Sequence, residues 1–235
     1  MTETTEEGQT AGPRPDPADP STVLLVDLDG TITDSFAGIA NSFRHALAAV
    51  GAPEPTEDVV AGIAGPPMID TLRELGLDQP TADAAMTAYR ERYTEIGWLE
   101  NAVFDGMGEI LADVAADGRT LAVATSKNQT TACAILEHFG LAQHFRVIAG
   151  ASDDGTRRAK ADVIAHALDR LGITDAGVTS TPVVMIGDRA HDVEGAARFG
   201  IPAILVGWGY ALAGEGETAA WTVDSIADLR EVLGV

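Results

Sequence analysis

The stretch Val23-Leu24-Leu25-Val26-Asp27-Leu28-Asp29-Gly30-Thr31 decides how this chain is read. Four consecutive apolar residues suit a strand buried on both faces, as inside a parallel sheet. Period-two geometry then points Asp27 and Asp29 to one side and Leu28 to the other. Ligands of open α/β sheets bind beyond the carboxyl ends of the strands, where this pair falls. Two carboxylates so close need a cation, a shared proton or a strong hydrogen-bonding shell. An acidic turn made of ordinary turn residues is the plainer alternative.

Further apolar runs follow at 121–124, 147–149, 183–186 and 203–206. Helical patterns lie between them, at 130–139, 160–171 and 192–199, and each is followed by a glycine suited to stop a helix: Gly140, Gly172 and Gly200. This alternation predicts an α/β fold. One interval breaks it. More than ninety residues separate the first two runs, whereas a crossover needs only about a dozen or more. Helical patterns at 39–50, 68–75 and 81–96, the last with Ala85, Ala88 and Tyr89 on one side, predict an inserted α-helical cap domain over 36–100. Residues 21–35 and 101–235 then form the core; extra helices laid on the main sheet are the alternative. Residues 1–20, with five acids, four prolines and one arginine, read as a disordered acidic tail.

Composition narrows the function. In 235 residues, 46% are hydrophobic, enough for one large core or a core with a small second domain and too many for a disordered polymer. Thirty-six acids against fifteen Lys and Arg give a net charge of −21. That field opposes nucleic acid and anionic membranes as partners, and any phosphate-handling site needs a local cation. The single cysteine, Cys133, excludes an internal disulfide and a multi-cysteine metal site; on an apolar helix face it reads as a buried small residue. No stretch approaches the roughly 18 apolar residues of a membrane helix. The cytoplasm is the expected location.

A second acidic cluster, Gly187-Asp188-Arg189-Ala190-His191-Asp192, follows the 183–186 run. Should this exit lie beside the first, three or four carboxylates converge as they do around Mg²⁺. Asp192 is the better placed of its two aspartates to cap the next helix instead. Thr125-Ser126 closes another strand, as an anion cradle or a routine cap. The chain has thirteen arginines but only two lysines, Lys127 and Lys160. Lysine is a compact point charge where arginine is a planar fork. Lys160 opens a helix, where a cation opposes the dipole, so its charge has a use elsewhere.

Asp-x-Asp-Gly-Thr at 27–31, Thr125 at a strand end, Lys160 downstream and Gly-Asp-Arg-x-x-Asp at 187–192 together resemble the haloacid dehalogenase-like hydrolases, over nearly the whole chain after the tail. The inserted cap looks like the phosphatase branch that includes phosphoglycolate phosphatases. Ala-Thr-Ser-Lys at 124–127, Glu-His-Phe-Gly-Leu at 137–141, the segment 150–160 and Gly-Pro-Pro at 65–67 resemble a subgroup often described as 5′-nucleotidase-like. The resemblance implies a Rossmann-like parallel five-stranded sheet with helices on both faces. It also implies Mg²⁺-dependent hydrolysis of a small phosphate monoester through an aspartyl-phosphate.

By that resemblance Asp27 is the nucleophile, and Asp29 is the acid/base whose backbone carbonyl touches the metal. Thr125 holds a phosphoryl oxygen and Lys160 neutralises nucleophile and phosphate together. Asp188 completes the metal ligands, with Asp192 direct or through water. Gly30, Thr31, Ser126 and Lys127 join in binding substrate. Arg157 and Arg158 are candidates to grip a carboxylate or a second phosphate, or one of them pairs with Asp153-Asp154. The turn 64–67 and Arg73 are cap candidates, Arg73 being more at home in solvent. Trp208 and Tyr210 stack a nucleobase or pack at a hinge. Phosphoglycolate-like chemistry is the first expectation, a 5′-nucleotidase the alternative, and a non-catalytic phosphate-binding regulator a remote one that the intact set argues against. The sequence carries no sign of an oligomeric state.

Overall fold

In the computed structural model, which describes residues 14–64, 67–174, 180–212 and 214–235, β1 (Val23–Val26) is the central strand. It pairs in parallel with β4 (Leu121–Asn128) on one side and β6 (Val183–Gly187) on the other. β5 (Val147–Ala151) lies beyond β4; β7 (Ala203–Val206) and β8 (Trp221–Val223) lie beyond β6. All five pairings are parallel.

The sheet therefore has six strands where five are expected. The extra one, Trp221-Thr222-Val223, is a short edge strand with only Val223 buried, so it presents no apolar run to find. The strand residues alternate between two cores as the pleat requires. Leu24 and Val26 pack with α5 (Met107–Ala116), α6 (Gln129–His138) and α9 (Ile226–Leu233). Val23 and Leu25 pack with α7 (Lys160–Leu171) and α8 (Ala190–Ala197).

Between β1 and β4 the chain forms α1 (Phe36–Ala49), α2 (Glu57–Ala61), α3 (Met68–Glu74) and α4 (Gln79–Glu95). These helices bury Phe43, Leu72, Ala82 and Ala85 against one another in a third cluster, each large side chain contributing about 1.5–3 kcal/mol. α2, only five residues long, escapes the periodicity argument; it starts on Thr56, whose side chain accepts from the Val59 N–H. α4 starts on Asp78, whose carboxylate accepts from the Thr81 N–H at 3.0 Å. A two-stranded antiparallel pair, β2 (Thr33–Asp34) with β3 (Ala102–Val103), ties the outgoing and returning chain together below these helices.

Residues 1–13 lie outside the described residues. From Arg14 onward the chain is held against the core rather than free: Arg14 Nη1 donates to Ala220 O at 3.1 Å, and the buried Arg119 guanidinium donates to Pro17 O. Cys133, expected to be buried, is only partly so. Among the described residues no helix is long and apolar enough to cross a membrane.

Candidate active site

The exits of β1 and β6 meet because the strands are neighbours; the Asp27 N–H donates to Ile186 O at 2.9 Å. Past Asp27 the chain turns sharply, with Ile32 and Thr33 N–H both donating to Leu28 O at 2.9 Å. Gly30 makes that turn at φ +77°, and a Cβ there would stand 2.1 Å from Asp188 Oδ2. A Cβ on Gly187 would stand 2.4 Å from Asp192 Oδ2. Gly30 lets the Asp188 carboxylate of the other loop approach the backbone, and Gly187 does the same for Asp192 within its own loop.

Asp27, Asp188 and Asp192 are all buried here, at 5%, 0% and 0% exposure. Lys160, in the first turn of α7, reaches in from the opposite side. Its ammonium lies 2.9 Å from Asp27 Oδ1 and 2.5 Å from Asp192 Oδ1, and it donates to Ala124 O at 2.9 Å. Burial works against its charge, but Asp192 and Asp27 outweigh it and hold the ammonium above the ordinary lysine range. That settles why a cation sits at a helix N-terminus. Asp192 also caps α8, its Oδ2 accepting from the Arg189 N–H at 3.0 Å. It does both jobs.

The second lysine is equally committed. Lys127 Nζ lies 2.6 Å from Asp29 Oδ2 and 4.7 Å from the centre of the Tyr93 ring on α4. Thr125 is buried at the end of the apolar part of β4, and its Oγ1 accepts from the Lys127 N–H at 3.2 Å. The cap of α6 is not the Thr125-Ser126 pair but Asn128, whose Oδ1 accepts from Thr131 N–H at 3.1 Å. Thr31 places its hydroxyl 3.5 Å from Asp188 Oδ1.

The donor set fits a divalent cation. Three buried carboxylates face one ammonium, and the Asp188 carboxyl is pushed up to about 8, by burial first and then by Asp192 and Asp27. Such mutual repulsion is what a bound cation relieves. Ligand atoms of Asp27, His191 and Asp192 lie within 4.8 Å of one another. His191 stands in the 187–192 segment, where no local signal distinguishes it; burial keeps its pKa below the ordinary histidine value.

Other expectations divide. Arg158 Nη2 pairs with Asp70 Oδ2 of α3 at 2.5 Å and lines the rim of the site. Arg157 is tied to Gly150 O at 2.7 Å and Gln129 Oε1 at 2.9 Å, so it pairs with neither Asp153 nor Asp154. Arg73 is an exposed partner of Asp70 and Gln79. Gly65 and Pro66 of the 64–67 turn lie outside the described residues; Ala64 O accepts from Arg189 Nη1, which joins α1–α4 to the β6 loop.

Trp208 and Tyr210 do not line the cavity but pack against the segment that leads from β1 into the helices. Trp208 Nε1 donates to Thr31 O at 3.2 Å, and the Tyr210 N–H donates to Asp188 Oδ2 at 2.7 Å. The Tyr210 hydroxyl accepts from Ser35 N–H at 2.8 Å and donates to Asp34 Oδ1 at 2.9 Å.

Over the carboxylates lies a cavity of about 570 Å³. Asp27, Asp29 and Thr125 line one part of it, while Met86, Tyr89 and Tyr93 of α4 line another. Tyr89 shares one side of this helix with Ala85 and Ala88, as the periodicity predicts, and that side reaches the cavity. The i, i+4 spacing to Tyr93 on the cavity face was legible, but nothing local showed which face the core would take.

Residues 24–206 match the family profile of the haloacid dehalogenase-like hydrolases. The tyrosine-protein kinase PtkA of Mycobacterium tuberculosis is 50% identical over 223 residues, covering 93% of this chain and 75% of that protein. A 5′-nucleotidase of Pseudomonas aeruginosa is 42% identical over 80% of this chain and 83% of its own length. The crystal structure of a predicted phosphatase from Clostridium acetobutylicum superposes with a TM-score of 0.82 at 34% identity, covering 91% of this chain and 99% of the other. With its acidic strand exits, paired lysines and capping helices, this chain belongs to the haloacid dehalogenase-like hydrolases and carries their phosphatase machinery.

Proposed function

We propose that this protein is a cytoplasmic, Mg²⁺-dependent phosphohydrolase of nucleoside monophosphates. The observation that carries the reading is a carboxylate and lysine centre opening into a cavity of about 570 Å³ with a tyrosine-lined wall. A space of that size, within the roughly 300–1,000 Å³ range of ligand pockets, far exceeds what phosphoglycolate fills. The 42% identity to a 5′-nucleotidase supports the same choice.

In this reading an Asp27 oxygen attacks phosphorus in line, the bond from phosphorus to the ester oxygen breaks, and Asp29 gives its proton to the leaving alkoxide. Water then attacks the aspartyl-phosphate while Asp29 takes its proton, releasing phosphate and restoring the Asp27 carboxylate. Lys160 and Thr125 offset and orient the phosphoryl oxygens. Ser126 lines the cavity and Lys127 holds Asp29 in position, whereas Gly30 and Thr31, expected to bind substrate, are buried against Asp188 and support that carboxylate instead. Asp27, the Asp29 carbonyl and Asp188 would hold Mg²⁺, which supplies charge neutralisation at the phosphoryl group. Asp192, engaged by Lys160 and Arg189, acts through water or as a positioning group.

The 50% identity to a tyrosine-protein kinase supports a second reading. There, a tyrosine phenol replaces water as acceptor of the phosphoryl group, and a nucleoside triphosphate is the donor. One panel tests both: phosphate release from nucleoside 5′-monophosphates, phosphoglycolate, a phosphotyrosyl peptide and 4-nitrophenyl phosphate, with and without Mg²⁺, beside ATP with a tyrosine peptide. Saturable Mg²⁺-dependent preference for a nucleoside monophosphate is expected; phosphopeptide formation from ATP without net hydrolysis overturns it.

A further inference from the structure

His191 stands inside the Gly-Asp-Arg-x-x-Asp segment, in the first turn of α8, and the reaction steps assigned to this site give it no task. It is half-buried and lines the cavity together with Asp27. One of its ring nitrogens lies within 4.8 Å of carboxylate oxygens of both Asp27 and Asp192. Among the described residues the ring has no hydrogen-bond partner. The metal does not call for it either, since Mg²⁺ takes oxygen ligands.

The neighbouring ammonium leaves work for a further donor. A lysine has three N–H groups, and for Lys160 the contacts to Asp27 Oδ1, Asp192 Oδ1 and Ala124 O, all within 2.9 Å, account for them. Its charge acts on a bound phosphoryl group while its hydrogens are spent on the protein. That group spreads charge over three equatorial oxygens as it transfers, and donors fixed in advance at those oxygens lower the barrier. A phosphorus in line with Asp27 stands about 3–3.5 Å from the attacking oxygen, its equatorial oxygens to the side. A nitrogen within 4.8 Å of the same carboxylate reaches one of them, because an N–H···O bond spans about 2.7–3.2 Å.

We infer that a His191 N–H donates a hydrogen bond to an equatorial oxygen of the phosphoryl group as it passes to and from Asp27. The proton stays on the imidazole throughout, so His191 stabilises developing charge and leaves proton transfer to Asp29. This assignment rests on the reading of Asp27 as the phosphoryl acceptor and holds for any leaving group.

The test measures kcat and KM on 4-nitrophenyl phosphate, inhibition by orthovanadate (which adopts the five-coordinate geometry of the transferring group), and the Mg²⁺ concentration for half-maximal rate. His191→Ala removes the donor, and His191→Leu repeats the removal with more bulk should alanine unfold the chain by circular dichroism. His191→Gln and His191→Asn each keep an N–H, at the reach of Nε2 and Nδ1 in turn. Removal is expected to lower kcat about a hundredfold and to weaken vanadate about tenfold or more, with the Mg²⁺ requirement within about twofold of wild type. One of the two amide variants is expected to recover about tenfold of the lost rate. Wild-type kcat and vanadate affinity after removal, equal losses in all four variants, or a raised Mg²⁺ requirement with kcat intact at saturating Mg²⁺ overturns the His191 assignment and leaves Asp27 as the acceptor. An Asp27→Asn variant that keeps the wild-type rate overturns the reading of Asp27, and the assignment with it.

Discussion

The Lys127 ammonium lies 2.6 Å from Asp29 Oδ2, and Lys127 is one of only two lysines in a chain with thirteen arginines. The other, Lys160, holds Asp27. In a protein of net charge −21, both compact cations are spent on the two aspartates at the end of one strand. A guanidinium is a wide fork with fixed donor directions, and it would not fit between Asp27, Asp192 and Ala124 O, where the Lys160 ammonium makes three contacts within 2.9 Å.

Replacing Lys160 with methionine leaves Asp27 and Asp192 buried without their cation. The expected loss is about 3–5 kcal/mol of unfolding free energy, read from denaturant midpoints in metal-free buffer. A midpoint equal to wild type contradicts the buried triad.

Asp27→Asn removes the nucleophile while keeping its shape. Phosphate release is expected to fall by about three orders of magnitude or more, with unchanged far-UV circular dichroism. Near-normal turnover by a clean preparation refutes the assignment.

Chelation is expected to abolish hydrolysis, and Mg²⁺ to restore it. Because only the folded state assembles the carboxylates, Mg²⁺ at about a hundred times its dissociation constant adds about 2.7 kcal/mol of stability. Asp188→Asn is expected to lose most of the resulting rise in Tm. A full rise in that variant moves the metal away from Asp188.

Tyr210→Phe keeps the backbone N–H on Asp188 but deletes the hydroxyl that joins Ser35 and Asp34. Faster hydrogen exchange at the Ser35 amide is expected, with a stability loss of about 1 kcal/mol. Unchanged exchange at Ser35 shows that this hydrogen bond does not hold the segment.

Glu215 accepts from Arg189 Nε and Nη2 at 2.9 and 3.0 Å and from Ala190 N–H at 3.1 Å. Burial pushes its carboxyl up, but these bonds outweigh burial and hold it below the ordinary 4.5. A depressed carboxyl stabilises the fold above its unfolded pKa and loses that contribution as pH falls through its folded one. Wild type is therefore expected to exceed Glu215→Gln in Tm at pH 7, with the gap closing below pH 4.5. A gap that widens in acid reverses the sign of the linkage.

The residues that motif spacing reveals are those whose geometry is local. Asp27 and Asp29 share a side because strands have a period of two, and Asp188 follows a buried run for the same backbone reason. Lys160 betrayed itself by opening a helix against the dipole. That the runs form a parallel sheet with a core on each face follows from their burial; the strand order that makes the 27–31 and 187–192 loops meet does not, and only the tertiary structure decides it. Beyond that reach lie contacts that cross between elements far apart in the chain. Lys127 meets Tyr93, and His191 comes near Asp27, only because the fold brings residues far apart in the chain together, and β8 completes the sheet with no apolar run of its own. An amphipathic helix states that it has a buried face; the surrounding molecule decides whether that face seals a core or walls a cavity.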